Sequence, residues 1–208
     1  YMYYEGISYS AATAELRVNR EKLEYNIVTA VISQGDYYLI EAVHKLGFAT
    51  AETILHRIRA GARHNEESGL CLVKEGKVTD HRTLRGRLEF LTRQGLLHCH
   101  EYVDSYGNIN YIFVCSSEGF RAFTTALDRR EQYNKDMVYK PCYEVFKYLA
   151  ANTVAYVLGM SLDIQKVQSH GRIFFNKDGK KYSELIYGQL LFGDEQKKHL
   201  ILEPTFFS

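Results

Sequence analysis

Little in this chain staples it together or breaks it up. Two prolines and 15 glycines among 208 residues are too few for a collagen-like or low-complexity polypeptide. The four cysteines, Cys71, Cys99, Cys115 and Cys142, lie far apart with no CxxC pair. That spacing suits buried thiols in a reducing compartment better than a disulfide framework. The longest weakly polar run, Leu149 to Met160, contains Asn152 and Thr153 and falls short of the roughly 20 apolar residues a helix needs to cross a bilayer. No stretch has the order of a signal peptide, so the expected location is cytoplasmic, with no membrane partner. The first residue is Tyr rather than Met, as expected of a fragment or a processed chain. Charge of one sign is missing too, because 26 Lys and Arg against 25 Asp and Glu leave +1. With 46% apolar residues the chain is a folded protein of one or two domains, able to bury roughly two-thirds of its unfolded surface without staples.

The distribution of charge says more than its sum. Between Ile54 and His64 stand Arg57, Arg59 and Arg63 with no acid, and between His81 and Arg93 stand Arg82, Arg85, Arg87 and Arg93 against Glu89 alone. Five histidines, His56, His64, His81, His98 and His100, fall in the same region. Arginines gathered on two helices give the basic stripe that phosphate binding requires. The plainer reading is a pair of solvated helix faces.

Apolar spacing sets the order of elements. Leu23, Ile27, Ala30 and Val31 predict a helix over Asn19 to Gln34 that stops at Gly35, Tyr38 to Leu46 a second, and Thr50 or Ala51 to Ala62 a third. Asn65 to Gly69 reads as a loop, and Leu70 to Val73 with Lys77 to Thr79 as a small hairpin. Asp80 is an N-cap for a helix to Gln94, closed by Gly95, with Leu84, Leu88 and Leu91 as its apolar stripe. Leu96 to Val103 and Ile109 to Cys115 read as a β-hairpin around a turn-forming cluster, followed by a helix from Phe120 to about Tyr133 with Ser116 among its cap residues. Helix, Gly, hairpin, capped helix is the order of a winged helix-turn-helix. Tyr143 to Met160 reads as a long helix after Pro141, and Arg172 to Phe175, Tyr182 to Leu191 and His199 to Leu202 as strands, with Asp178-Gly179 as a turn. The expected fold is α+β: a winged helix-turn-helix over 1–135 and a small α+β domain over 136–208, the boundary lying in the charged run Asp128 to Lys140.

The run Leu84-Arg85-Gly86-Arg87-Leu88-Glu89-Phe90-Leu91-Thr92-Arg93-Gln94-Gly95-Leu96-Leu97 resembles the RRLxxLxxxGLL of many bacterial winged-helix proteins, and Tyr111 to Gly119 resembles the YxLTxxG that closes their wing. Val145 to Ala155 is similar to the post-wing helix of the replication-relaxation family of plasmids and conjugative elements. This resemblance, covering about Asn19 to Met160, implies DNA binding in replication or mobilisation of a mobile element. In that family the winged helix precedes an endonuclease-like segment, for which the final segment here is short. The stretch from Ala62 to Asp80 is also long for a compact helix-turn-helix.

If the helix from Asp80 is the recognition helix, Arg82, Thr83 and Arg85 reach base edges or phosphates, Arg87 and Arg93 reach phosphates, and Tyr106 and Asn108 touch the backbone or minor groove from the hairpin tip. The competing recognition helix, Thr50 to His64, offers Arg57, Arg59 and Arg63. His98, Cys99, His100 and Cys115 raise the question of a metal, but strand alternation puts His98 and His100 on one side and Cys99 on the other, so none is expected, nor any other cofactor. Glu195-Gln196-Lys197 matches an ExK spacing that is common by chance, and hydrolase and phosphate-loop motifs are absent. The expectation is a non-enzymatic accessory protein that binds double-stranded DNA, with a relaxase or replication protein as a further partner and homodimerisation as a route to specificity. A transcriptional repressor is the alternative within DNA binding, and a protein-interaction module without DNA binding the alternative outside it.

Overall fold

The computed structural model describes residues 17–18, 31–63, 67–75, 80–103, 107–140, 142–161, 164–168, 171–192 and 198–202. The architecture is mixed α+β, with antiparallel pairing throughout its sheets. The helix expected over Asn19 to Gln34 lies almost wholly outside the described residues, and Val31 to Ser33 are not helical. Helix α1 is Gln34–Leu46. Gly35, expected to stop a helix, sits in the first turn of this one, because its start is set by the network around Ser33. The Ser33 amide donates to Asp36 Oδ2 at 2.7 Å, and Glu75 accepts from the Ser33 hydroxyl at 2.9 Å and the Gly35 amide at 3.1 Å. Two carboxylates at the positive end of a helix are electrostatically well placed.

After α1 the chain is briefly extended, and Ala49 exchanges two backbone hydrogen bonds with Phe113. Helix α2 is Ala51–Arg63 and helix α3 is Glu67–Lys74. Helix α3 corrects the expectation of a loop to Gly69 and a strand over Leu70 to Val73, while Asn65, Glu66 and Lys77 to Thr79 lie outside the described residues. Leu72 is fully buried, and a Cβ on Gly69 would collide with the Gly61–Ala62 backbone of α2. Close helix crossing therefore decides the conformation, which a segment this short does not reveal by periodicity.

Helix α4, His81–Arg93, begins where Asp80 Oδ1 accepts from the Thr83 amide at 2.8 Å. It ends in a Schellman motif: Gly95, at φ +73°, donates to Thr92 O at 2.9 Å and Leu96 to Leu91 O at 3.0 Å. Leu84, Leu88 and Leu91 are completely buried, as their spacing predicted. Strands β2 (Leu97–Val103) and β3 (Ile109–Cys115) pair in register from Leu97↔Cys115 to Val103↔Ile109, and β1 (Arg17–Val18) lies on the outer edge of β2. The Ser116 hydroxyl donates to Gly95 O at 2.7 Å and accepts from the Gly119 amide at 2.9 Å, tying the end of α4 to the start of α5, Ser117–Ala126. Helix α5 is shorter than expected, since Asp128 turns to φ +49°, a conformation short polar side chains tolerate.

A 3-10 turn, Lys135–Tyr139, leads to α6, Cys142–Ser161. The run Asp128–Lys140 does not mark the division between the two buried clusters, one of which draws on both sides of it. One cluster joins α1, α2, α4 and α5 to the sheet side bearing Cys99, Phe113 and Cys115. The other joins Phe48, Ile112 and Val114 to Val145, Tyr148, Leu149 and Tyr187. The β2–β3 pair is thus buried on both sides. Asn152 of α6 donates to Leu46 O at 3.0 Å and Phe48 O at 2.8 Å, satisfying carbonyls at the end of α1.

Beyond α6, strands β4 (Ile164–Gln168), β7 (Gly188–Phe192) and β8 (Lys198–Leu202) form one sheet in the order β4-β7-β8, and β5 (Gly171–Lys177) with β6 (Lys180–Ile186) a separate two-stranded ribbon. The single strand expected over Tyr182 to Leu191 is broken at Tyr187, which is buried against Tyr148 with ring centroids 5.1 Å apart; β4 was not anticipated. No described helix is long and apolar enough to cross a membrane.

Candidate nucleic-acid interface

The arginines of α4 divide by side. Leu84, Leu88 and Leu91 turn the helix so that Arg82, Gly86 and Arg93, at i, i+4 and i+11, share the outward line; all three are exposed. Arg85 lies on one flank. It stacks over the Tyr111 ring at 4.3 Å and donates through Nε to Glu89 at 2.9 Å, while Arg93 lies 3.9 Å from the same carboxylate. Glu89 thus braces two guanidiniums that remain 40% and 62% exposed.

Arg87 lies on the other flank and is taken out of the set available to phosphate. Its Nε donates to Asp36 Oδ1 at 2.6 Å and its Nη2 to Oδ2, and it packs over Phe90 at 4.1 Å. Asp36 has no exposed surface, so this fork neutralises a buried charge. The hydrogen bond to Asp36 raises the Arg87 pKa above its ordinary value, with Asp36 and Glu75 adding attraction.

Two features of α4 cost stability without an internal return. Arg82 occupies a first turn whose one acid is the capping Asp80, and its positive charge there opposes the helix dipole by about 0.3–1 kcal/mol. Gly86 sits mid-helix with nothing within 4 Å of a Cβ built there, which costs about 1 kcal/mol relative to Ala. A bare backbone between two exposed arginines lets an anionic partner approach closely.

Thr83 is exposed at the helix start, its hydroxyl donating to Asp80 Oδ2 at 3.0 Å. An open depression of about 140 Å³ gathers Thr50 and Glu52 from the start of α2, His81 and Arg85 from α4, and Ile109, Asn110 and Tyr111 from β3. Of these, only Arg85 was singled out from sequence. Tyr111 was missed, although strand alternation puts it on the α4 side with Phe113.

Arg57 and Arg59 of α2 do not join this depression. Arg57 lines a different one, with Tyr38, Glu41 and Lys45 of α1 and Ser68 and Leu72 of α3, and Arg59 is exposed. The start of α2, and neither Arg57 nor Arg59, stands beside Arg85. Burial lowers the pKa of His56, against the pull of Glu52 3.8 Å away. Arg63 closes α2, and its side chain, like all of Tyr106, falls outside the described residues. Asn108 is exposed at the hairpin tip beside Gly107, and its carbonyl accepts from Asn110 Nδ2 at 3.1 Å.

His98 and Cys99 face opposite sides of β2. Burial pushes the Cys99 thiol up to about 12 and raises that of Cys115 still further, so both act as protonated packing groups. His100 is buried with neither ring nitrogen bonded, and burial, aided by His98, pulls it down to about 4. Among the described residues no group of three or more His, Cys, Asp and Glu is arranged to hold a metal ion. Compared with protein-family models, with curated proteins and with solved structures, the chain matches none of them.

Proposed function

We propose that this chain is a DNA-binding protein of the winged helix-turn-helix type, with α4 as recognition helix, β2–β3 as wing and the start of α2 beside them. The observation that carries the reading is the outward line Arg82–Gly86–Arg93, flanked by Arg85 on Tyr111 of the wing. The exposed start of α4 enters the major groove, where an arginine fork can engage both acceptors of a guanine, and Asn108 lies toward the backbone. Helix α3 is an insertion relative to a compact helix-turn-helix and packs behind, on α1 and α2. The resemblance of Leu84–Leu97 to a run found in many bacterial winged-helix proteins, and of Val145–Ala155 to the post-wing helix of the replication-relaxation family, favours a non-enzymatic role in replication or mobilisation of a mobile element, beside a relaxase or replication protein, with two copies of the chain reading a two-fold site.

Affinity for a random duplex, measured over a range of salt, tests this reading. Log K should fall linearly with log salt, with a slope of about −0.9 for each phosphate contact. Weak binding that ignores salt would overturn it and favour a protein-interaction module.

A further inference from the structure

The β5–β6 ribbon is the part of the chain that the duplex-binding reading leaves without a purpose. Its turn is Asp178-Gly179, both at positive φ (50° and 73°), between paired Lys177 and Lys180, the geometry of a two-residue type I′ hairpin. Every residue from Phe174 to Glu184 is exposed. A two-stranded ribbon with nothing packed on it is marginal in water, yet beyond the buried Ile186 at its base this one bares Phe174 at 79%, Phe175 at 41% and Tyr182 at 42%.

The register arranges these rings in a repeating way. Phe175 is opposite Tyr182, their rings stacked at 5.7 Å and 18°, and Lys177 is opposite Lys180 one step nearer the tip on the same side. Phe174 is opposite Ser183 on the other side, with Asn176 opposite Lys181 one step nearer the tip. Each side therefore carries an aromatic ring followed by lysine toward the tip, and residues 174 to 184 hold Lys177, Lys180 and Lys181 against Asp178 in the turn and Glu184 at the base. A flat partner, whether a bilayer or a protein face, covers one side of such a ribbon and leaves the other wet. A thin, flexible polyanion whose own rings are unstacked can serve both sides, bases on the aromatics and phosphates on the lysines. Bases inside a duplex have their faces covered by neighbours, so the complementary ligand is unpaired.

We propose that the β5–β6 ribbon binds an unpaired nucleic-acid strand. This site is separate from α4 and extends the chain's reach from duplex to single strand.

The chain contains no tryptophan, so Phe174→Trp in the full chain gives a single reporter. Titration with oligothymidylate, and separately with oligouridylate, should quench its emission saturably and less effectively as salt rises; the tighter of the two identifies DNA or RNA as the source. In the otherwise unaltered chain, Phe174→Ala should weaken single-strand binding about tenfold and Lys177→Ala with Lys180→Ala should flatten its salt dependence, while duplex affinity stays unchanged. Because Phe174 is solvent-exposed, its removal tests binding without a folding defect. Absence of quenching by both oligomers, or an emission shift that tracks protein concentration alone, overturns the proposal, the latter in favour of a second copy of the chain. Saturable single-strand binding by an unaltered chain that shows no affinity for duplex would instead sink the α4 reading and leave this one standing.

Discussion

Two flanks of α4 carry the same residue type under opposite conditions. Arg87 turns inward onto Asp36, a carboxylate with no exposed surface, and joins α4 to the start of α1. Arg82 and Arg93 turn outward along a line kept low by Gly86, and Arg85 leans on Tyr111 of the adjoining strand. Counted along the sequence, the four arginines are equal members of one basic stripe. In the fold one of them neutralises the interior and three keep exposed guanidiniums, so a charge count overstates the outward basic stripe by one residue.

The comparison breaks most sharply at Arg87. Arg87→Ala strands a buried carboxylate and should cost about 3–5 kcal/mol, read as a lower urea midpoint, while the salt slope of duplex binding holds. A lower slope with unchanged stability would assign Arg87 to the interface instead.

The interior can also be weakened by pH without touching the outward line. Burial holds His44 and His100 at about 4 in the folded state, against an ordinary 6.5. Below about pH 6.5 the unfolded chain therefore takes up protons that the folded chain refuses. The stabilisation is complete above that pH and is lost progressively as pH falls toward 4. From pH 7 to pH 5 each residue should cost on the order of 2 kcal/mol; His100→Phe should remove about half the fall, as urea unfolding at the two pH values will report.

On the outward side, Arg82→Ala with Arg85→Ala should flatten the salt slope by about two units, whereas Arg57→Ala with Arg59→Ala leaves it alone. Equal effects from both pairs would mean that α2 shares the duplex face. The smallest effect belongs to Gly86→Ala, which should raise stability by about 0.5–1 kcal/mol while weakening duplex binding, a pair of opposite signs that thermal unfolding and a binding titration can separate.

Where information is local, the sequence was legible. Asp80 capping α4, Gly95 ending it, the triple leucine stripe, the β2–β3 pair, the Ser116 cap and the Asp178-Gly179 turn are each written within a few residues of where they act. The failures are contacts between distant positions. Arg87 reaches Asp36 across 51 residues, and Glu75 reaches Ser33 across 42 and Gly35 across 40. Helix α3 exists because Gly69 lets it press on α2, a reason that Leu70-Cys71-Leu72-Val73 does not spell. In the candidate site Arg82, Arg85 and Arg93 were legible from charge and spacing. Tyr111 and the start of α2 were not, since only the fold brings them to Arg85.

The carboxamide of Asn152, holding two carbonyls at the end of α1, makes the long helix part of whatever the reading half of the molecule does. A shortened chain ending before Cys142 would bare Phe48, Ile112 and Val114 to water and leave the β2–β3 pair covered on one side only. The first 135 residues therefore share one buried surface with α6, and any attempt to graft them onto another protein must carry α6 along as their keel.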